Sequence, residues 1–151
     1  MKKQIFVARE VFQEVLDFLA PHFEVAANQE DKVLTTEELA RVLADKEGAL
    51  TTLTERIDEN LLSRCPQLKA VCNIAVGYNN IDLAAARARG LVVTNTPDVL
   101  TDATADLTWA LLLAVARRVV EGDILVRSGG WTGWSPTQLL GAEISGKTLG
   151  I

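Results

Sequence analysis

The chain has 151 residues and a formal charge of -5, enough length to bury a sizeable core in one domain or slightly more. Hydrophobic residues at 48% and charged residues at 23% exclude a disordered or fibrous chain. An acidic balance, with pI near 4.9, excludes a general binder of polyanions such as nucleic acid.

Met1-Lys2-Lys3 is followed by Arg9 and Glu10, which interrupt any signal-like apolar stretch. Ile5 to Ala8 reads as a strand, and Val11, Val15, Leu16 and Leu19 then recur at helical spacing until Pro21. Phe23 to Ala26 predicts a second strand. Thr35 and Glu38 are spaced as a capping box ahead of Leu39, Val42 and Leu43. Ala49 to Leu53 is a third strand, Asp58 to Arg64 a short helix, and Ala70 to Val76 a fourth strand. Ile81 to Arg89 is a helix closed by Gly90, and Leu91 to Thr94 a fifth strand. Strand alternating with helix at this spacing predicts an α/β fold, a parallel sheet covered on both faces, with flavodoxin-like order as the leading topology.

A boundary is expected near Asn95 to Leu100, dividing residues 1–98 from 99–151. Thr101 is placed to cap a long helix carrying Leu107, Leu111, Leu112, Val115 and Val119 and extending toward Val126. Its apolar block from Trp109 to Ala116 falls short of the about 20 residues that cross a bilayer. A Gly-rich loop with Trp131 and Trp134 follows, and Lys147 to Ile151 reads as a strand that starts and does not finish. The two tryptophans suit a binding surface or a subunit contact, and core anchoring is an equal alternative.

Ligands of open parallel sheets sit beyond the carboxyl ends of the strands, which singles out Thr51 to Thr54 and Gly77 to Asn80. Gly77 admits a ligand close to the backbone, and Asn79 or Asn80 can cap the next helix, whose free N–H groups favour a small carboxylate. The plainer alternative is a tight strand-to-helix turn. Gly141 to Thr148 matches G-x-x-x-x-G-K-[ST], but nothing strand-like precedes it and no helix follows, so a phosphate loop is not expected. No G-x-G-x-x-G is present. His22 reads as a turn residue, the acidic pairs Glu37-Glu38 and Asp58-Glu59 as helix starts, and no metal site is expected. Cys65 and Cys72 lack CxxC spacing, so neither a disulfide scaffold nor a zinc cluster is indicated and a reduced, cytoplasmic setting is expected.

Four blocks, Val76-Gly77-Tyr78-Asn79-Asn80-Ile81-Asp82, Asn95 to Thr101, Ala105-Asp106 and Gly146 to Ile151, together resemble the D-isomer-specific 2-hydroxyacid dehydrogenases. The Trp loop and Thr96-Pro97-Asp98-Val99-Leu100-Thr101 are most similar to the glyoxylate/hydroxypyruvate reductase branch. One departure is Asn79, where many members carry Asp. The resemblance implies a substrate domain followed by the first helix and first strand of an incomplete Rossmann domain. It further implies an enzyme that reduces small 2-keto acids with NAD or NADP as cofactor, working as a homodimer through the helix from Thr101. By residue, it implies that Leu53, Thr54, Val76 and Gly77 bind substrate, that Thr104 lies on the cofactor side, and that Trp134 reaches the partner subunit's active site. The family's catalytic Arg, Glu and His match nothing here. This chain alone is therefore expected to be inactive and to bind no cofactor tightly. The competing expectation is a non-enzymatic flavodoxin-like module for dimerisation or small-anion binding.

Overall fold

A computed structural model describes residues 1–150. Contacts divide the chain into two compact units, Met1–Val99 and a second beginning at Leu100.

The first unit alternates β1 (Lys3–Val7), α1 (Gln13–Leu19), β2 (Phe23–Ala27), α2 (Thr36–Leu43), β3 (Gly48–Thr51), α3 (Glu59–Arg64), β4 (Ala70–Asn73), α4 (Leu83–Ala88) and β5 (Val92–Thr94). The strands form one sheet in the order β2-β1-β3-β4-β5 with every pair parallel, the flavodoxin-like topology read from the sequence. Parallel neighbours require crossover helices, and right-handed crossovers put α2, α3 and α4 on one face and α1 on the other. Phe6, Ala49 and Val71 from three strands meet Leu39, Leu43, Leu61, Leu62 and Ala86 from those three helices in the main core. α1 has no buried residue.

Local chemistry sets the helix ends. Thr35 accepts from the Glu38 amide at 3.2 Å while the Glu38 carboxylate takes the Thr35 amide at 2.9 Å, the predicted capping box. Asp58 and Asp82 cap α3 and α4 by accepting from Leu61 and Ala85. α4 ends where Gly90 turns to a φ of +67°, so that the Gly90 and Leu91 amides reach back to the Arg87 and Ala86 carbonyls.

The second unit differs from the sequence reading in three respects. The long helix is two helices, α5 (Thr101–Ala116) and α6 (Val119–Arg127), separated by Arg118 in a left-handed conformation. The Ala142 amide donates to the Ala116 carbonyl at 2.8 Å, satisfying one of the end groups that a continuing helix would have used. Thr101 is the first helical residue rather than the cap: Leu100 precedes it, and the Leu100 carbonyl already accepts from Thr104. No strand forms over residues 146–150, because the unit offers no neighbouring strand to share a hydrogen-bond ladder, and Ile151 lies outside the described residues.

Candidate functional site

Beyond the carboxyl ends of β3 and β4, two loops run side by side. Ile57 and Ile81 form a parallel bridge, with the Ile57 amide donating to Asn80 O and the Asp82 amide to Ile57 O, both at 2.8 Å. Leu53 of the first loop covers Gly77 of the second: a Cβ on Gly77 would lie 3.6 Å from the Leu53 side chain. Leu53, Thr54, Val76 and Gly77 are thus brought together. A cleft of about 530 Å³ lies beside them, lined by Leu53, Thr54, Arg56, Asp58, Asn79 and Asn80 among others.

The peptide planes of the second loop are fixed from one side. Ala75 O accepts from the Thr96 amide at 2.9 Å and Val76 O from Asn95 Nδ2 at 2.8 Å. In a trans peptide the N–H points opposite the carbonyl, and no peptide here is cis. The Val76 and Gly77 N–H groups therefore both point away from the 95–96 segment, and among the described residues neither has a protein acceptor. Val76 is 43% exposed and Gly77 is open to solvent. Two adjacent, parallel, unpartnered donors suit an anion with two oxygens.

Gly77 does not have a positive φ, and a Cβ there would meet only Leu53 at an ordinary contact distance. Neither backbone strain nor protein packing calls for glycine. What glycine leaves open is the space in front of the two amides.

The expected helix N-terminus is not part of this site. α4 is capped by the carboxylate of Asp82, and neither Asn79 nor Asn80 caps it. Asn79 is exposed, whereas Asn80 turns inward and donates to Thr52 O and Glu55 O, each at 2.9 Å. The intervening bridge with Ile57 delays the helix until Leu83, which is why the nearer asparagines find other partners.

Thr54 stands behind the site. Its hydroxyl donates to Glu55 Oε1 at 2.6 Å and accepts from Arg9 Nη1 at 2.9 Å. Arg9 in turn grips Asp31 through two nitrogens, and that hydrogen-bonded pairing holds the Asp31 carboxyl below the usual carboxylate range. Glu55 is 3% exposed, and its Oε2 takes the Thr52 amide at 2.7 Å and the Thr52 hydroxyl at 2.9 Å. Asn73, also buried, accepts from Thr51 Oγ1 and donates to Gly77 O, both at 2.9 Å. Arg9, Asp31, Glu55 and Asn73 were not singled out by sequence reasoning, and Asn80 was singled out only as a candidate helix cap. One signal was available: Thr52 and Glu55 repeat the T-x-x-E spacing of Thr35 and Glu38, although no helix starts at this turn.

Thr104 and Trp134 lie in the second unit. Thr104 is exposed on α5, and Trp134 is 82% exposed in the loop after α6. Gly146 and Lys147 of the phosphate-loop pattern sit at a turn closed by the Lys147 amide on Ile144 O, with no helix over residues 147–150. Among the described residues no group of three or more His, Cys, Asp or Glu is arranged to hold a metal ion, and no helix is long and apolar enough to cross a membrane.

The model of the D-isomer specific 2-hydroxyacid dehydrogenase catalytic domain matches residues 5–140. The chain belongs to this family. The glyoxylate reductase of Aeropyrum pernix is 47% identical over 154 residues, covering 99% of this chain and 46% of that protein. A Polaromonas sp. crystal structure assigned to the NAD-binding D-isomer specific 2-hydroxyacid dehydrogenases superposes with a TM-score of 0.89 at 39% identity, over 97% of this chain and 46% of that one. The NADPH-dependent glyoxylate/hydroxypyruvate reductase of Sinorhizobium meliloti, solved with NADP and malonate, gives 0.77 at 30% identity, over 98% of this chain and 45% of that one. The chain spans about half the length of the curated relatives it matches.

Proposed function

We propose that this chain supplies the carboxylate-binding half of the active site in an NAD(P)H-dependent reductase of glyoxylate- and hydroxypyruvate-type 2-keto acids. The observation that carries the reading is the pair of outward, unpartnered N–H groups at Val76 and Gly77, held by carbonyl bonds to residues 95 and 96. Charge-assisted hydrogen bonds of this kind contribute about 1.5–3 kcal/mol each, enough to orient a two-oxygen anion. Leu53 closes the site from the apolar side, and Thr54, its hydroxyl tied to Glu55, lines the cleft next to it as part of the substrate site. The names of the relatives and the malonate held in the Sinorhizobium meliloti structure favour a small carboxylate over other anions.

The same reading takes residues 1–98 as the substrate domain and 99–151 as the start of the cofactor domain. Thr104 faces the cofactor, Trp134 reaches the partner subunit, the dimer forms through α5, and the location is cytoplasmic. Support for the dimer is α5 itself, which buries no residue although Leu107, Trp109, Leu111 and Val115 are apolar. A nicotinamide cofactor does not fit the residues present as a complete site. Among the described residues no glycine-rich turn follows a strand in the second unit, and the residues present are read as binding and orienting substrate.

Oxalate is the direct probe. In an NMR titration it should shift the Val76 and Gly77 amides. A Gly77→Ala variant should keep its thermal midpoint and lose the shifts, because the added methyl blocks the amides without a clash in the protein. Equal binding by both forms would sink the reading. Purified 151-residue chain should show no glyoxylate-dependent NADPH oxidation, and turnover by it would contradict the division of labour proposed here.

A further inference from the structure

Among the described residues, Thr52, Leu53, Thr54 and Glu55 make no backbone-to-backbone hydrogen bond with any other segment. The turn that places Leu53 over Gly77 is therefore held by side chains. Glu55 closes it internally through Thr52 and Thr54, and Arg9 braces Thr54 from the β1 side. Its hydrogen-bonded tie to the loop that carries the two amides is Asn80. Asn80 Nδ2 has two hydrogens, and Thr52 O and Glu55 O at 2.9 Å are placed to take both. Asn80 Oδ1 faces Asn73 Nδ2 at 3.3 Å, and Asn73 Nδ2 also holds Gly77 O. One amide group thus joins both ends of the turn to the residue that fixes the Gly77 carbonyl.

We propose that Asn80 is a positioning residue of the carboxylate site, setting the gap between Leu53 and the Val76 and Gly77 N–H groups. The inference rests on the reading of those N–H groups as a carboxylate site. The tie requires a double donor: an aspartate would aim acceptor oxygens at two carbonyl oxygens and push the turn outward, so it is a worse replacement than alanine. The fold does not depend on the tie. The Ile57 amide bonds the backbone carbonyl of residue 80, and the Ile57–Ile81 bridge likewise needs no side chain from that position.

The test uses the 151-residue chain in four forms: unchanged, Asn80→Ala, Asn80→Asp, and Gln67→Ala as an exposed control in the turn before β4. Backbone amide relaxation by NMR is measured without ligand, followed by oxalate titration. Asn80→Ala should mobilise Leu53 and Thr54 while Val71 and Leu61 stay ordered, and should weaken oxalate about tenfold, the scale of one lost hydrogen bond. Asn80→Asp should exceed it in both measures, and Gln67→Ala should match the unchanged chain. Leu53 as rigid in both Asn80 variants as in the unchanged chain, with oxalate affinity retained, overturns the positioning role alone. Loss of order at Val71 in both variants overturns it too, by making Asn80 a residue of the fold. Failure of oxalate to shift Val76 and Gly77 in the unchanged chain overturns the carboxylate reading and the positioning role with it.

Discussion

α2 and α5 are both rich in apolar residues, and they end in opposite situations. α2 confines its apolar side chains to one stripe and buries Leu39, Ala40 and Leu43 against the sheet. α5 is apolar on all sides and buries nothing, with Leu111 at 58% and Val115 at 78% exposure. The same contrast holds for the two units. Among the described residues every buried one lies between Ile5 and Leu91, and none from Leu100 onward is buried. Apolar content alone therefore does not say where a core lies; a one-sided pattern matched to a nearby surface does. A helix without a polar side suits cover from more than one direction, and this chain leaves α5 open for it.

The sharpest break in that comparison would come from two leucines. Leu61→Ala should cost about 2–5 kcal/mol in chemical denaturation followed on amide signals of the first unit, because Leu61 is fully buried in its core. Leu111→Ala should change the same curve by no more than about 0.5 kcal/mol and should instead reduce concentration-dependent association in sedimentation velocity. Equal costs at both positions would erase the distinction. Within the second unit, a Cβ at Gly141 would lie 2.2 Å from Ala116 O, so Gly141→Ala should displace the segment that stops α5, at about 1–3 kcal/mol of local stability. Faster hydrogen exchange at Ala142 reads that outcome. On the α2 side, Thr35→Ala should cost about 1 kcal/mol of first-unit stability through loss of the cap.

The smallest effect is a pH dependence. Lys32, then the Thr35 amide and hydroxyl, hold Glu38 from its ordinary 4.5 down to about 2. A depressed carboxylate stabilises the fold above its unfolded value, and that contribution is lost as pH falls from about 4.5 toward about 2. Asp31, Glu37, Glu47 and Glu59 shift in the same direction, each through an Arg or Lys partner, so acid should loosen the first unit by degrees. Asp31, Glu37 and Glu59 are exposed and Glu38 and Glu47 only half-buried, which keeps each share small. Glu38→Gln should lower stability a little at neutral pH and flatten the lowest part of an acid titration, so that the two proteins converge as pH falls toward about 2.

The strand and helix alternation, the parallel sheet and its order, the capping box at Thr35 and the glycine after α4 were legible in the chain, because each depends on periodicity or on residues within four positions of one another. The amide site was legible only in its location. Gly77 marked the loop, but the direction of its N–H groups depends on Asn95 and Thr96, about twenty residues away in the chain. The predicted roles of Asn79 and Asn80 failed for a related reason. Asp82 is also a good cap, and the Ile57 bridge decided which of the three would start the helix.

By itself the sequence determined a flavodoxin-like α/β unit and a resemblance that the family match bears out, and it marked the loop beyond the fourth strand as one to inspect. Only the tertiary structure decided that Val76 and Gly77 keep free amides, that Thr54 and Glu55 serve as struts, that Asn80 joins two loops, and that the long helix breaks at Arg118. Local patterns fix which backbone groups bond to near neighbours. Which groups remain unpaired is set by partners that only folding brings within hydrogen-bond distance.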